Sequence, residues 1–175
     1  MDNPRMYILS GLEGYDSQIG KLVCTLNYVR HRTLSAVEGM STDQINFLAD
    51  PQGNTIAALL LHIAAIEYSY QISTFEHRAL NDKEMQAFGA ALELGERGRK
   101  EIKGKTLEYC QNILSKVREK TLAGLKDKDD DWLILVKPFW QNLPANHHFM
   151  WFHVIEEEIY HTGQIGLLKR RLPKL

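Results

Sequence analysis

The C-terminal stretch NHHFMWFHVIEEEIYHTGQIGLLKRRL sets an acid and an imidazole four residues apart, at Glu157 and His161. At 3.6 residues per turn, positions four apart are separated by only ~40° around a helix axis, so the two side chains project side by side. Met150, Val154, Ile165, Leu168 and Leu172 fall on either side of them, which places both polar groups inside an apolar stripe. A buried polar group left unpaired costs ~1–3 kcal/mol, and more when charged, so the pair needs a partner. The same anomaly occurs once more: His62 shares a helix face with Ala58, Leu59, Ile66 and Ser69. Two imidazoles and a carboxylate around an open position suit one divalent ion, and zinc, nickel, manganese or ferrous iron would accept that donor set. Such an ion would also neutralise Glu157 and remove its burial penalty.

Blander readings compete. A single core histidine is more often hydrogen-bonded than metal-bound, and E-x3-H also occurs as a stabilising surface pair. A metal-free His-Glu-His cluster stays open as well. His153 extends the pattern to H-x3-E-x3-H, but it stands two turns from His161, about 12 Å by the helical rise. It is therefore expected at the mouth of the site or in solvent. Glu156 and Glu158 rotate ~100° to either side of Glu157, toward solvent or neighbouring helices. Gln164, one turn past His161, is placed to orient a ligand or a bound water. His31, His77, His147 and His148 are expected at the surface.

These residues need long helices to carry them, and the periodicity supplies four. Ile19, Leu22, Val23, Leu26, Val29, Thr33 and Val37 recur at steps of three and four and predict a helix from about Tyr15 to Glu38. Turn residues follow in STDQINFLADPQGN, after which Asn54 or Thr55 would cap a second helix reaching about Arg78. A short helix is expected near Lys83 to Leu94, then an exposed loop at GERGRKEIKGK, whose glycines fit neither dinucleotide nor P-loop spacing. A third long helix runs from about Thr106 to Lys126, and DKDDD ends it. WLILVKPFWQNLP is expected to be a long packed connection, and the last helix runs from near Asn146 to about Leu172. Four amphipathic helices without a convincing set of strands predict an all-α, four-helix bundle with long crossover connections, built as a single domain over 1–175.

Composition is that of an ordinary globular chain: 44% hydrophobic and 25% charged residues, with a formal net charge of −1. A balance of acids and bases this even disfavours nucleic-acid binding. Cys24 and Cys110 sit far apart in apolar helical patterns, where buried free thiols of a reducing compartment are expected. The N-terminus lacks a basic start and an apolar run, and no stretch approaches the ~20 apolar residues of a membrane span. A cytoplasmic protein with no membrane association is expected.

The motifs LLLHIAAIE and EEIYHTGQIGLL resemble those of the DinB-like metal-binding four-helix bundles, a family related to DNA-damage-inducible bacterial proteins, and the resemblance covers nearly the whole chain. It implies a DinB/YfiT-like fold with His62 and His161 as two of three metal ligands. The family's third ligand, four residues before the last, is commonly histidine and is Glu157 in this sequence. Some members of that superfamily are thiol-dependent transferases or isomerases, which implies a low-molecular-weight thiol of the bacillithiol or mycothiol kind as cosubstrate. The leading expectation is therefore a metal-dependent enzyme, a hydrolase or thiol transferase, acting on a small-molecule substrate. The alternative is a non-catalytic, stress-related bundle whose metal is structural or whose helices form a homodimer. A structural zinc site usually has four protein ligands, and only three are in view.

Overall fold

The computed structural model describes residues 4–173, and it is built mainly of helix. The four long helices are α1 (Ser17–Val37), α3 (Ile56–Phe75), α6 (Leu107–Lys126) and α8 (His147–Arg170). Three crossovers join them. The first carries the short helix α2 (Thr42–Asn46), the second α4 (Asp82–Glu93) and α5 (Gly95–Glu101), and the third α7 (Asp130–Ile134) with the strands β1 (Val136–Pro138) and β2 (Pro144–Asn146). A short 3-10 turn, Pro4–Tyr7, precedes α1. Within the bundle α3 packs mainly on α6 and α8, and α1 mainly on α8. This is the all-α bundle with long crossovers that the periodicity predicts.

Local chemistry sets the helix starts. The Thr55, Thr106 and Asn146 side chains accept from the backbone N–H three residues on, at Ala58, Tyr109 and Phe149, and so satisfy amides that would otherwise lack partners. Between the caps, two apolar clusters fill the interior. One gathers α2, α3, α4 and α6 around Ile45, Leu60 and Leu114; the other gathers α1, α3, α7 and α8 around Leu26, Tyr70, Leu133 and Trp151.

Several sequence expectations change. GERGRKEIKGK is not an exposed loop, because its first seven residues form α5. Left-handed backbone at Leu94 and Gly95 (φ +54° and +53°) breaks the chain from α4, and Gly98 and Ile102 turn inward. Arg97 then pairs with Glu93 and Glu101 at i,i+4 spacing. The expected turn STDQINFLADPQGN contains α2, held by a capping box between Ser41 and Gln44. α3 stops at Phe75, three residues before Arg78. The connection after DKDDD is less packed than expected: β1 and β2 form an antiparallel ribbon in which Lys137 faces Ala145, and Val136 and Leu143 are exposed. His147 is buried rather than at the surface, with Nδ1–H donating to the Trp132 carbonyl at 2.9 Å, and burial lowers its pKa. Cys110 is buried and Cys24 only half-buried, and both are free. Contrary to expectation, α3 is long and apolar enough to cross a membrane, but 78% of its apolar window is buried within the bundle, so its apolarity serves the core.

Where the four long helices meet, each contributes one buried charge. Arg30 of α1 reaches Glu67 of α3 at 2.8 Å and Glu158 of α8 at 2.7 Å, and Arg118 of α6 reaches the same two acids at 2.7 and 3.1 Å. Each guanidinium also donates to a backbone carbonyl of the other arginine's helix, Arg30 to Leu114 and Arg118 to Leu26. Thr33 and Thr121 donate to Glu158 and Glu67, which leaves no charge of this quartet unpaired. Burial alone would raise the pKa of Glu67, but the Arg118 and Arg30 guanidiniums outweigh it and hold the carboxyl below its ordinary value. Removing one guanidinium strands two buried acids, so Arg118→Met is expected to cost about 3–5 kcal/mol. Urea denaturation measures this, and a loss under about 1 kcal/mol, the size of an exposed ion pair, would mean that the quartet does not hold the bundle.

Candidate metal centre

His62 lies in the second turn of α3, and Glu157 and His161 stand one turn apart on α8, so the packing of α3 on α8 alone decides whether they meet. They do. One ligand atom from each lies within 4.8 Å of the other two. His62 Nε2 is 3.5 Å from Glu157 Oε2, and His161 Nε2 is 3.1 Å from the same oxygen. A tetrahedral ion with bonds of about 2.0–2.1 Å separates its ligand atoms by roughly 3.3 Å, between those two distances. The imidazoles meet edge to face, with ring centroids 4.5 Å apart. Both histidines are buried, while the Glu157 side chain keeps 24% of its surface exposed and so marks the open side.

Neighbouring groups fix which nitrogen of each ring faces the centre. His62 Nδ1–H donates to the Ala91 carbonyl of α4 at 2.8 Å, and His161 Nδ1–H donates to Gln164 Oε1 at 2.9 Å. In the neutral rings each Nε2 therefore carries a lone pair aimed at a carboxylate oxygen. Three acceptors converge with no proton between them, which repels unless a cation sits among them. The alternative is a second proton on an imidazole. His62 resists it: burial lowers its pKa most, and the Ala91 bond and Glu157 only partly oppose this. Imidazoles with their remote nitrogens tied to oxygen acceptors are what a metal ligand set requires.

Gln164 orients His161, as its spacing suggests. Glu158 turns away from the triad into the buried quartet, whereas Glu156 is exposed and accepts from His153 Nδ1 at 2.9 Å. His153 lies outside the triad, but it is not in bulk solvent. Its side chain is 11% exposed, and its Nε2 is 3.4 Å from Glu157 Oε1, the oxygen that the two ligand imidazoles leave aside. Beside it stands Tyr70, with ring centroids 6.0 Å apart. Burial, Glu157 and Glu156 raise the Tyr70 pKa, so the phenol keeps its proton on the wall of the site.

Sequence reasoning missed three contributors. Tyr70 reads as one more apolar position of α3, and only its placement two turns beyond His62 hinted at the site. The Ala91 carbonyl is invisible to side-chain reasoning. The quartet left a trace, since Glu67 is the single acid in the apolar run of α3, and Arg30 and Arg118 border apolar stripes.

No curated protein matches the chain in sequence. A crystal structure of a conserved protein from Enterococcus faecalis has a similar fold, with a TM-score of 0.66 at 18% identity over 86% of this chain and 94% of the other. The family model for mycothiol S-transferase matches residues 21–172, a span that runs from the second turn of α1 to the end of α8. The chain thus belongs to the mycothiol S-transferase family, a group of DinB-like helical bundles.

Proposed function

We propose that the chain is a metal-dependent thiol transferase, in which His62, Glu157 and His161 hold one divalent ion and a small thiol of the mycothiol class is the cosubstrate. The observation that carries this reading is the convergence of two Nε2 lone pairs and one carboxylate oxygen, with both rings locked by Ala91 and Gln164. Three protein ligands leave a position open, and membership of a transferase family gives that position a thiol to receive. A divalent ion held there supplies Lewis acidity that favours the thiolate over the thiol.

The chain's own residues do the rest. Glu157 would help hold the ion while its Oε1 faces His153, so one carboxylate joins the centre to a base at its edge. His153, also in contact with the exposed Glu156, is placed to pass the thiol's proton outward. Tyr70 closes the same side with a protonated phenol, a hydrogen-bond donor for a substrate oxygen. A purely structural metal fits less well, because the two apolar clusters and the buried quartet already join the four helices. The compartment consistent with this reading is the cytoplasm.

His62→Ala or His161→Ala is expected to abolish stoichiometric metal while leaving the helical circular dichroism largely intact. Metal analysis after dialysis decides it, and unchanged metal in both variants removes the assignment. Glu157→Gln should weaken metal binding more than His153→Ala. His153→Ala should instead lower conjugation of a thiol to an electrophile with metal retained, and the reverse order of affinities would make His153 the third ligand.

Binding should also fall in acid. The His62 pKa lies below its ordinary ~6.5, so proton competition at this ring begins only below that value and then strengthens as the pH drops. With two imidazoles deprotonating per ion, log affinity against pH should approach a slope of two in that range. Calorimetric titration gives the slope, and a pH-independent affinity would mean that imidazoles do not bind the ion.

A further inference from the structure

We propose that the outward face of α8 is the interface of a two-fold dimer of this chain, with the two copies of α8 antiparallel and crossing at Gly163. α1 exposes Lys21, Asn27, Arg32 and Ser35, and α6 exposes Asn112, Ser115, Lys116 and Glu119, as surface helices do. α8 differs. It buries Met150, Val154 and Ile165 against the bundle, yet on its opposite face Phe149, Phe152, Ile159, Tyr160 and Leu167 are between 45% and 62% exposed. At 3.6 residues per turn these five form one stripe along the helix. Contiguous apolar surface of this kind marks a contact with another protein.

Two glycines lie on the same stripe. Glycine weakens a helix interior relative to alanine, and a fold retains it where another backbone or ring comes close. A β-carbon at Gly163 or Gly166 would meet nothing within 4 Å, so no neighbour in this chain accounts for either. They leave room for something outside it.

The stripe is its own complement. Measured from Gly163, Ile159 and Leu167 lie four residues to either side, Tyr160 and Gly166 three, and Glu156 and Arg170 seven. An antiparallel crossing at Gly163 therefore sets each Ile159 against the Leu167 of the other copy. Each Tyr160 ring lies over the other Gly166, and each Glu156 carboxylate faces the other Arg170 guanidinium. A two-fold interface must match itself in this way, residue for residue. Over the two turns on either side of Gly163, from Glu156 to Arg170, charge, bulk and vacancy match about one point, which favours a second copy over an unrelated partner. Because Tyr160 also packs edge-on against His161, the second copy borders the rim of the metal centre.

Sedimentation equilibrium of the full-length protein tests this with charge reversals at exposed positions. Wild type is expected to be a dimer. E156R and R170E each place like charges opposite one another, and each should raise the dissociation constant by about tenfold or more. The double variant E156R/R170E restores opposite charges and should return to within about threefold of wild type. G163C should form a disulfide-linked dimer under mild oxidation in which the wild-type cysteines do not. A monomer at all concentrations would overturn the proposal and leave the stripe to a different partner. A dimer unaffected by either single reversal, or a double variant weaker than both singles, would equally overturn it by placing the interface elsewhere.

Discussion

Two arginines and two glutamates, one from each long helix, are buried where the four helices meet, and the rotation of each helix depends on them. Hydrophobic burial turns an amphipathic helix to a definite angle only when one of its faces is polar. α3 and α8 lack that constraint: α3 is apolar on nearly every side, and α8 carries apolar side chains on opposite faces. Either could turn about its axis with little change in the apolar area removed from water. Glu67 and Glu158 remove this freedom, because any rotation that withdraws them from Arg30 and Arg118 leaves charges buried without partners.

The candidate metal centre inherits that geometry. Glu158 is the chain neighbour of Glu157 and stands one turn before His161, so the rotation that seats Glu158 in the quartet also aims the other two at α3. Glu67 does the same for His62 on the facing helix. The four crossing charges are thus a positioning device as well as a clasp. Charge accounting at the centre points the same way. A divalent ion with one carboxylate retains one positive charge, which a single thiolate neutralises, whereas three neutral imidazoles would leave two positive charges in a half-buried site.

The bundle was legible in the sequence because its helices are long: Thr55 caps α3 where Asn54 or Thr55 was expected to, and Thr106 and Asn146 stand where the third and last long helices were expected to begin. The triad was legible because His62, Glu157 and His161 are polar groups on apolar faces. What could not be read depended on tertiary partners. GERGRKEIKGK looks like a loop until Arg97 finds Glu93 and Glu101 and Gly98 packs inward, and His147 looks exposed until Trp132 covers it. Local propensity describes an isolated segment, and in both places the rest of the fold supplies what the segment lacks. The quartet fell between these cases. Each of its members is conspicuous in its own helix, but their pairing across the bundle is a property of the packing.

The proposed function requires that two imidazoles and one carboxylate hold the ion with a position left for a thiol. X-ray absorption spectroscopy of zinc-loaded protein, before and after adding a small thiol, measures this directly. The expected spectrum without thiol shows only nitrogen and oxygen neighbours at about 2.0–2.2 Å, two of them imidazoles, and the thiol should add one sulfur at about 2.3 Å. A shell with no imidazole scattering, or one that stays free of sulfur at saturating thiol, would contradict the account.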